Sequence, residues 1–173
     1  MFIRPDWPAP EGIVAFTTTK LGGISKGDFE SLNLSLDVGD DPLDVKKNRK
    51  VIEKELPRGT KIKWLRQEHG GVVTKADSID LDRADASWTN QIGWACAIQT
   101  ADCLPVLFCD IYSNYIAAAH VGWRGLLCDI LGNLIMEAPI SSARMMAWLG
   151  PRIGPKEFEV GEKVMDEISC WIL

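Results

Sequence analysis

Residues 104–125 read LPVLFCDIYSNYIAAAHVGWRG, and this stretch decides the fold class. It holds two apolar runs of strand length, 104–109 and 115–120, separated by a few polar residues, and a similar run at 94–99 precedes them. Short apolar runs so spaced are expected to form adjacent buried strands. His120 closes the last run, and Gly122 and Gly125 bracket Trp123 and Arg124 before a helical pattern over 126–137 that stops ahead of Pro139. Strand end, glycine turn and helix start make a place where main-chain N–H groups can meet an anion.

Outward from this stretch, strand and helix signals alternate. Residues 145–149 read as a strand, followed by Gly150-Pro151-Arg152-Ile153-Gly154-Pro155 and a final helix from about Phe158 to the apolar end at Trp171-Ile172-Leu173. Upstream, residues 13–19 alternate like a strand and run into a turn at Gly22-Gly23. Gly39-Asp40-Asp41-Pro42 introduces a helix, with Asp41 suited to cap it, Pro42 to its first turn and Pro57 beyond its end. Val45, Ile52 and Leu56 form its apolar stripe, yet Asn48 and Arg49 occupy the middle of that stripe. The pattern is α/β, of the α+β kind with mixed sheets flanked by helices. No repeat or long linker divides it, so one domain over residues 1–173 is expected.

Composition narrows the function. The chain has 173 residues, 46% of them hydrophobic and 25% charged, which excludes disordered and collagen-like classes. No apolar window approaches the ~18 residues that span a bilayer, and the start lacks a secretion-signal pattern, so no membrane association and a cytoplasmic location are expected. With a net charge of −5 and no Lys/Arg block, nucleic acid is not an expected partner. Five cysteines, Cys96, Cys103, Cys109, Cys128 and Cys170, are too few for a disulfide scaffold. Cys96, Cys109 and Cys128 fall in apolar segments and read as packing residues. Only two histidines exist, so any site that needs imidazole must use His69 or His120.

His69, Cys103 and His120 each lie at the edge of a buried run or a turn. Two imidazoles and a thiolate suit zinc, and three protein ligands leave a fourth position for water or substrate. The same residues also read as two loop histidines with satisfied hydrogen bonds and a small buried thiol. Arg49 and Arg124 carry forks suited to phosphate or carboxylate, or lay their stems on the core. Asp102 suits the role of orienting a metal-bound histidine, or that of a turn residue. Gln67 can meet a purine edge or satisfy backbone, and Trp123 can stack on a flat substrate.

Linked motifs run through most of the chain: Pro5-Asp6-Trp7, residues 18–27, Ser31-Leu32-Asn33-Leu34, 39–42, Asn48-Arg49, 67–70, Ala84-Asp85-Ala86, 100–105, 118–125 and 150–161. In this order they resemble the bacterial polyphenol oxidase/laccase-domain family, also described as multifunctional purine nucleoside phosphorylases and peptidoglycan editing factors. The resemblance implies mixed sheets built from a duplicated unit. It implies His69, Cys103 and His120 as zinc ligands or catalytic trio and Arg49 as the phosphate-side arginine, with Asn48, Gln67 and Arg124 at substrate motif positions. The implied reaction is phosphorolysis of adenosine, inosine, guanosine or methylthioadenosine, with adenosine deamination as a second activity, in a monomer or homodimer.

Members of that family continue past the equivalent of Trp171, so a C-terminally shortened domain is expected. Three competing readings stand beside the first. One makes Cys103 the nucleophile of an amidohydrolase that edits peptidoglycan precursors, activated by His120. Another places copper on the His₂Cys set as a polyphenol oxidase, although two histidines cannot build a multicopper centre. The last is a non-catalytic partner of cell-wall or division proteins.

Overall fold

Strand pairing around residues 104–121 organises the chain. In the computed structural model, which describes residues 1–79 and 82–172, the strands are β1 (Phe2–Ile3), β2 (Thr17–Thr18), β3 (Lys61–Lys63), β4 (Val73–Lys75), β5 (Ala86–Thr89), β6 (Trp94–Cys96), β7 (Leu104–Asp110), β8 (Ile116–Val121) and β9 (Met145–Leu149). The helices are α1 (Pro42–Glu53), α2 (Trp123–Leu127), α3 (Ile130–Glu137) and α4 (Glu162–Ile172). Five strands form the main sheet in the order β4-β5-β8-β7-β9, and two pairs, β1-β2 and β3-β6, form small sheets of their own. In the main sheet β4 and β5 run parallel and the other neighbours antiparallel, giving a mixed α/β architecture. The side chains of Cys170, Trp171 and Ile172, and Leu173 as a whole, lie outside the described residues.

The period of two along a strand decides what each side chain faces. Val106 and Phe108 on β7 lie with Ala117, Ala119 and Val121 on β8, and Ile130 and Leu134 of α3 cover that face to make the core. The alternate residues, Pro105 opposite His120 and Leu107 opposite Ala118, belong to the other face. His120 is thus carried on a central strand and turned away from the α3 side.

Several expected elements differ in extent. The run at 94–99 forms a strand only to Cys96, and β6 pairs in parallel with β3 rather than beside β7. Beyond it Ala97 N still donates to Lys63 O, and the backbone of Gln99 is taken by the side chain of Gln67, which accepts from its N–H at 2.6 Å and donates to its C=O at 2.8 Å. Of residues 13–19 only Thr17–Thr18 pair, with β1. The helix expected over 126–137 is two helices, broken where Asp129 adopts φ 51° and its side chain accepts from Gly132 N to start α3. Asn133 Nδ2 closes the break by donating to both Gly71 O and Cys128 O. Cys128 is exposed there and does not pack. The final helix starts at Glu162, after a turn in which Gly154 O accepts from the N–H groups of Glu157 and Phe158.

α1 follows its signals: Asp41 accepts from Leu43 N at 2.8 Å, and Pro42 occupies the first turn. Asn48, within the apolar stripe, is 0% exposed. Its Oδ1 accepts from Ile24 N, and its Nδ2 donates to Ser25 Oγ, Ser31 O and Asn33 O. The side chain therefore sews the 23–33 loop to the helix, and Gly23 is needed because a Cβ there would lie 2.2 Å from Ser31 O. At the far end of β7, buried Asp110 accepts from Arg144 Nε at 3.0 Å and from its Nη2. Burial would raise the Asp110 carboxyl, but the Arg144 hydrogen bonds and charge outweigh it and hold it below its ordinary value.

Asn48→Ala leaves several buried groups without partners, and a loss of about 2–4 kcal/mol in the urea unfolding free energy is expected. Because folding lowers the Asp110 value, its stabilisation is complete above the unfolded value of about 3.9 and is lost as pH falls through the lower folded value. Urea midpoints measured from about pH 7 down to about pH 2.5 should fall steeply below about pH 4, and Asp110→Asn should be weaker at pH 7 with a shallower acid slope.

Candidate metal centre

Three chain segments converge at one end of the main sheet. β8 delivers His120; the segment before β7 carries Cys103; and the turn after Gln67 brings His69, held at φ 60°, a left-handed conformation uncommon outside glycine. The ligand atoms of His69, Cys103 and His120 lie within 4.8 Å of one another, and the two imidazoles meet edge to face with centroids 4.7 Å apart. His120 is buried, Cys103 partly buried and His69 exposed. Gly122 permits this approach, since a Cβ on it would lie 3.0 Å from Cys103 Sγ and 3.5 Å from His69 Cδ2.

Asp85, immediately before β5, sits beneath the cluster with 1% exposure. Its Oδ1 lies 2.8 Å from His120 Nδ1, and its carboxylate accepts the N–H groups of Glu68, His69 and Gly70. Burial would raise its carboxyl; the hydrogen bonds from His120 and from the three main-chain groups outweigh that and hold it below its ordinary value. Desolvation, followed by the charges of Asp102 and Asp85, pushes the Cys103 thiol up, which works against a free thiolate nucleophile. A bound cation would reverse that balance, because a ligating thiol gives up its proton. Two imidazoles and one thiol, with a carboxylate behind one ring, are a donor set that fits zinc with an open position, and a trigonal copper ion by the same criterion.

The cluster opens into a cavity of about 1050 Å³. Trp7, Trp64 and Trp148 line it with Phe16 and Phe29, and so do Gln67, Gln99 and Asp102. Gln67 lines the wall, but its amide is engaged by the Gln99 backbone, the satisfying role rather than the recognition role. Arg49 donates Nε to Leu34 O and lays its guanidinium 4.1 Å from the centre of the Trp64 ring. Asn48 does not line the cavity, and its amide is engaged by Ile24, Ser25, Ser31 and Asn33. Arg124 is exposed, stacked 4.2 Å from the Trp123 ring centre, and neither residue lines the cavity.

Asp102 is exposed, and the carboxylate on His120 is that of Asp85, which was visible in the sequence only as a motif member without a role. Its signal was a carboxylate between two alanines just ahead of the strand-forming stretch 86–89. Cys96 and Cys109 suit packing chemistry: desolvation pushes Cys96 up to about 12 and Cys109 to about 11.

Comparison with known proteins gives a consistent picture. The family described as multi-copper polyphenol oxidoreductase laccase matches residues 14–170. A purine nucleoside phosphorylase of Pseudomonas aeruginosa is 46% identical over 165 residues, covering 95% of this chain and 67% of the relative. The purine nucleoside phosphorylase YfiH of Escherichia coli is 43% identical over 166 residues, covering 95% and 68%. Among solved structures, a Neisseria meningitidis protein superposes with a TM-score of 0.91 at 42% identity over 99% of this chain and 71% of its own. YlmD from Geobacillus stearothermophilus superposes with a TM-score of 0.86 at 31% identity, covering 98% and 68%. This chain spans about two thirds of the length of the two phosphorylases.

Gly122→Ala tests the close approach. The added methyl presses on Cys103 Sγ without touching the core face, so zinc affinity measured by chelator competition is expected to fall about 10-fold or more with the folded far-ultraviolet spectrum retained.

Proposed function

This chain belongs to the multi-copper polyphenol oxidoreductase laccase family, and from that premise we propose that it is a zinc-dependent purine nucleoside phosphorylase with adenosine deaminase as a second activity. The observation that carries the reading is the convergence of His69, Cys103 and His120 on the wall of a large aromatic-lined cavity. Substrates are purine nucleosides and phosphate, and the products are free base and sugar 1-phosphate.

His69, Cys103 and His120 would hold the ion, which when bound supplies a Lewis acid and an acidified water. The rest of the chemistry falls to the chain itself. Trp7, Trp64 and Trp148 offer flat faces for a purine, whose stacking is tolerant of the exocyclic group and so suits several nucleosides. Arg49, which does not itself line the cavity, stacks on Trp64 and donates Nε to Leu34 O, so its support of phosphate binding runs through those two lining residues. Asp85 keeps His120 oriented. Positioning of phosphate against the sugar, with water partly excluded by the aromatic wall, supplies much of the rate. Copper chemistry of the multicopper kind needs more histidines than the two present.

The decisive measurement is incubation of zinc-loaded protein with adenosine and phosphate, followed by chromatographic separation. Adenine with ribose 1-phosphate reports phosphorolysis and inosine reports deamination. His69→Ala and Cys103→Ala are each expected to lower both rates by at least about 100-fold. A folded, zinc-loaded wild type that yields neither product overturns the reading.

A further inference from the structure

Four hydrogen-bond donors converge on one carboxylate. Asp85 Oδ1 receives His69 N at 2.9 Å and faces His120 Nδ1 at 2.8 Å, while Oδ2 receives Glu68 N at 3.2 Å and Gly70 N at 2.8 Å. An ionised carboxylate has about four acceptor positions and no proton to give, so this site is filled. The main chain adds a fifth link, His120 N donating to Asp85 O at 2.7 Å. From this we infer that Asp85 is the positioning residue of the metal centre: it fixes the tautomer of one histidine and the loop that carries the other. The inference rests on the metal-centre reading above and deepens it.

The argument has two halves. Facing an acceptor-only oxygen, His120 must carry its proton on Nδ1, which leaves the Nε2 lone pair as the donor available to an ion. Orienting carboxylates behind ligating imidazoles act in this way elsewhere and raise ligand basicity. The second half concerns His69. Its left-handed φ of 60° is costly for a residue with a side chain and persists only where the surroundings over-determine it. Three consecutive N–H groups anchored on one buried carboxylate supply that constraint. The His120 ring and the backbone that carries His69 are therefore set before any ion arrives, which removes ordering cost from binding.

Asp85→Asn separates this role from packing, because the amide keeps the size and replaces one acceptor oxygen by a donor. An NH₂ placed opposite His120 turns Nδ1 into an acceptor, moves the ring proton to Nε2, the ligating atom, and also opposes the N–H of His69. With the other amide orientation, the donor instead opposes Glu68 N and Gly70 N and loosens the His69 turn.

The test uses ¹⁵N-histidine-labelled full chain, whose two ring systems are readily distinguished by comparison with His69→Ala. Metal-free wild type should show the Nδ1–H form of His120. In Asp85→Asn the Nε2–H form should appear or the His69 signal should broaden. Cobalt(II) affinity, read by its visible absorption against a competing chelator, should drop 10–100-fold. An Nε2–H tautomer in wild type, or unaltered cobalt affinity and absorption in a folded Asp85→Asn, overturns the proposal. Should the variant fail to fold, the wild-type tautomer decides alone. A wild type that binds neither cobalt nor zinc defeats the metal reading instead, and the tautomer spectrum still judges Asp85.

Discussion

A charge placed almost out of reach of water must be answered by donors, and Asp85 shows how far that requirement can organise a protein. Its carboxylate draws in the turn at residues 68–70 and the end of β8, elements separated by 50 residues of chain. Cys103 enters from the β7 side through strand register, opposite the Gly122 end of β8. The centre is thus the meeting point of an electrostatic constraint and a ladder, and neither would assemble it alone.

The ladder contributes by parity. Along β8, Ala117, Ala119 and Val121 face α3, and the residues between them turn the other way. Shifting the pairing by one residue would send His120 into the apolar core and an alanine to the cavity. The glycine after Val121 lets Sγ and imidazole approach across it. Function and packing therefore use alternate positions of the same short strand, which leaves little freedom to exchange either set.

Polar residues in unexpected places divide into those that serve the site and those that hold the scaffold. Asn48 interrupts an apolar helix stripe and turns out to be the anchor of the 23–33 loop, engaged on all sides. Arg49, its neighbour, reaches the cavity only through Trp64. Gln67 captures the backbone of Gln99, and that captured segment becomes cavity wall. In each case one side chain substitutes for a missing piece of regular structure, satisfying main-chain groups that a ladder would otherwise have paired.

Local rules in the sequence determined the elements whose causes are local. Asp41 and Pro42 start α1, apolar runs mark β7, β8 and β9, and two histidines with one cysteine at run edges offer a candidate ligand set. Tertiary structure decided what depends on distant partners. The pairing of Gln99 needed Gln67, 32 residues away; the break at Asp129 needed the approach of Gly71; and the carboxylate behind His120 was Asp85 rather than Asp102, the neighbour of Cys103. Periodicity reports which face a residue takes, because that follows from backbone geometry alone. Which donor meets a buried acceptor follows from how separate segments pack, and a linear pattern carries no term for it.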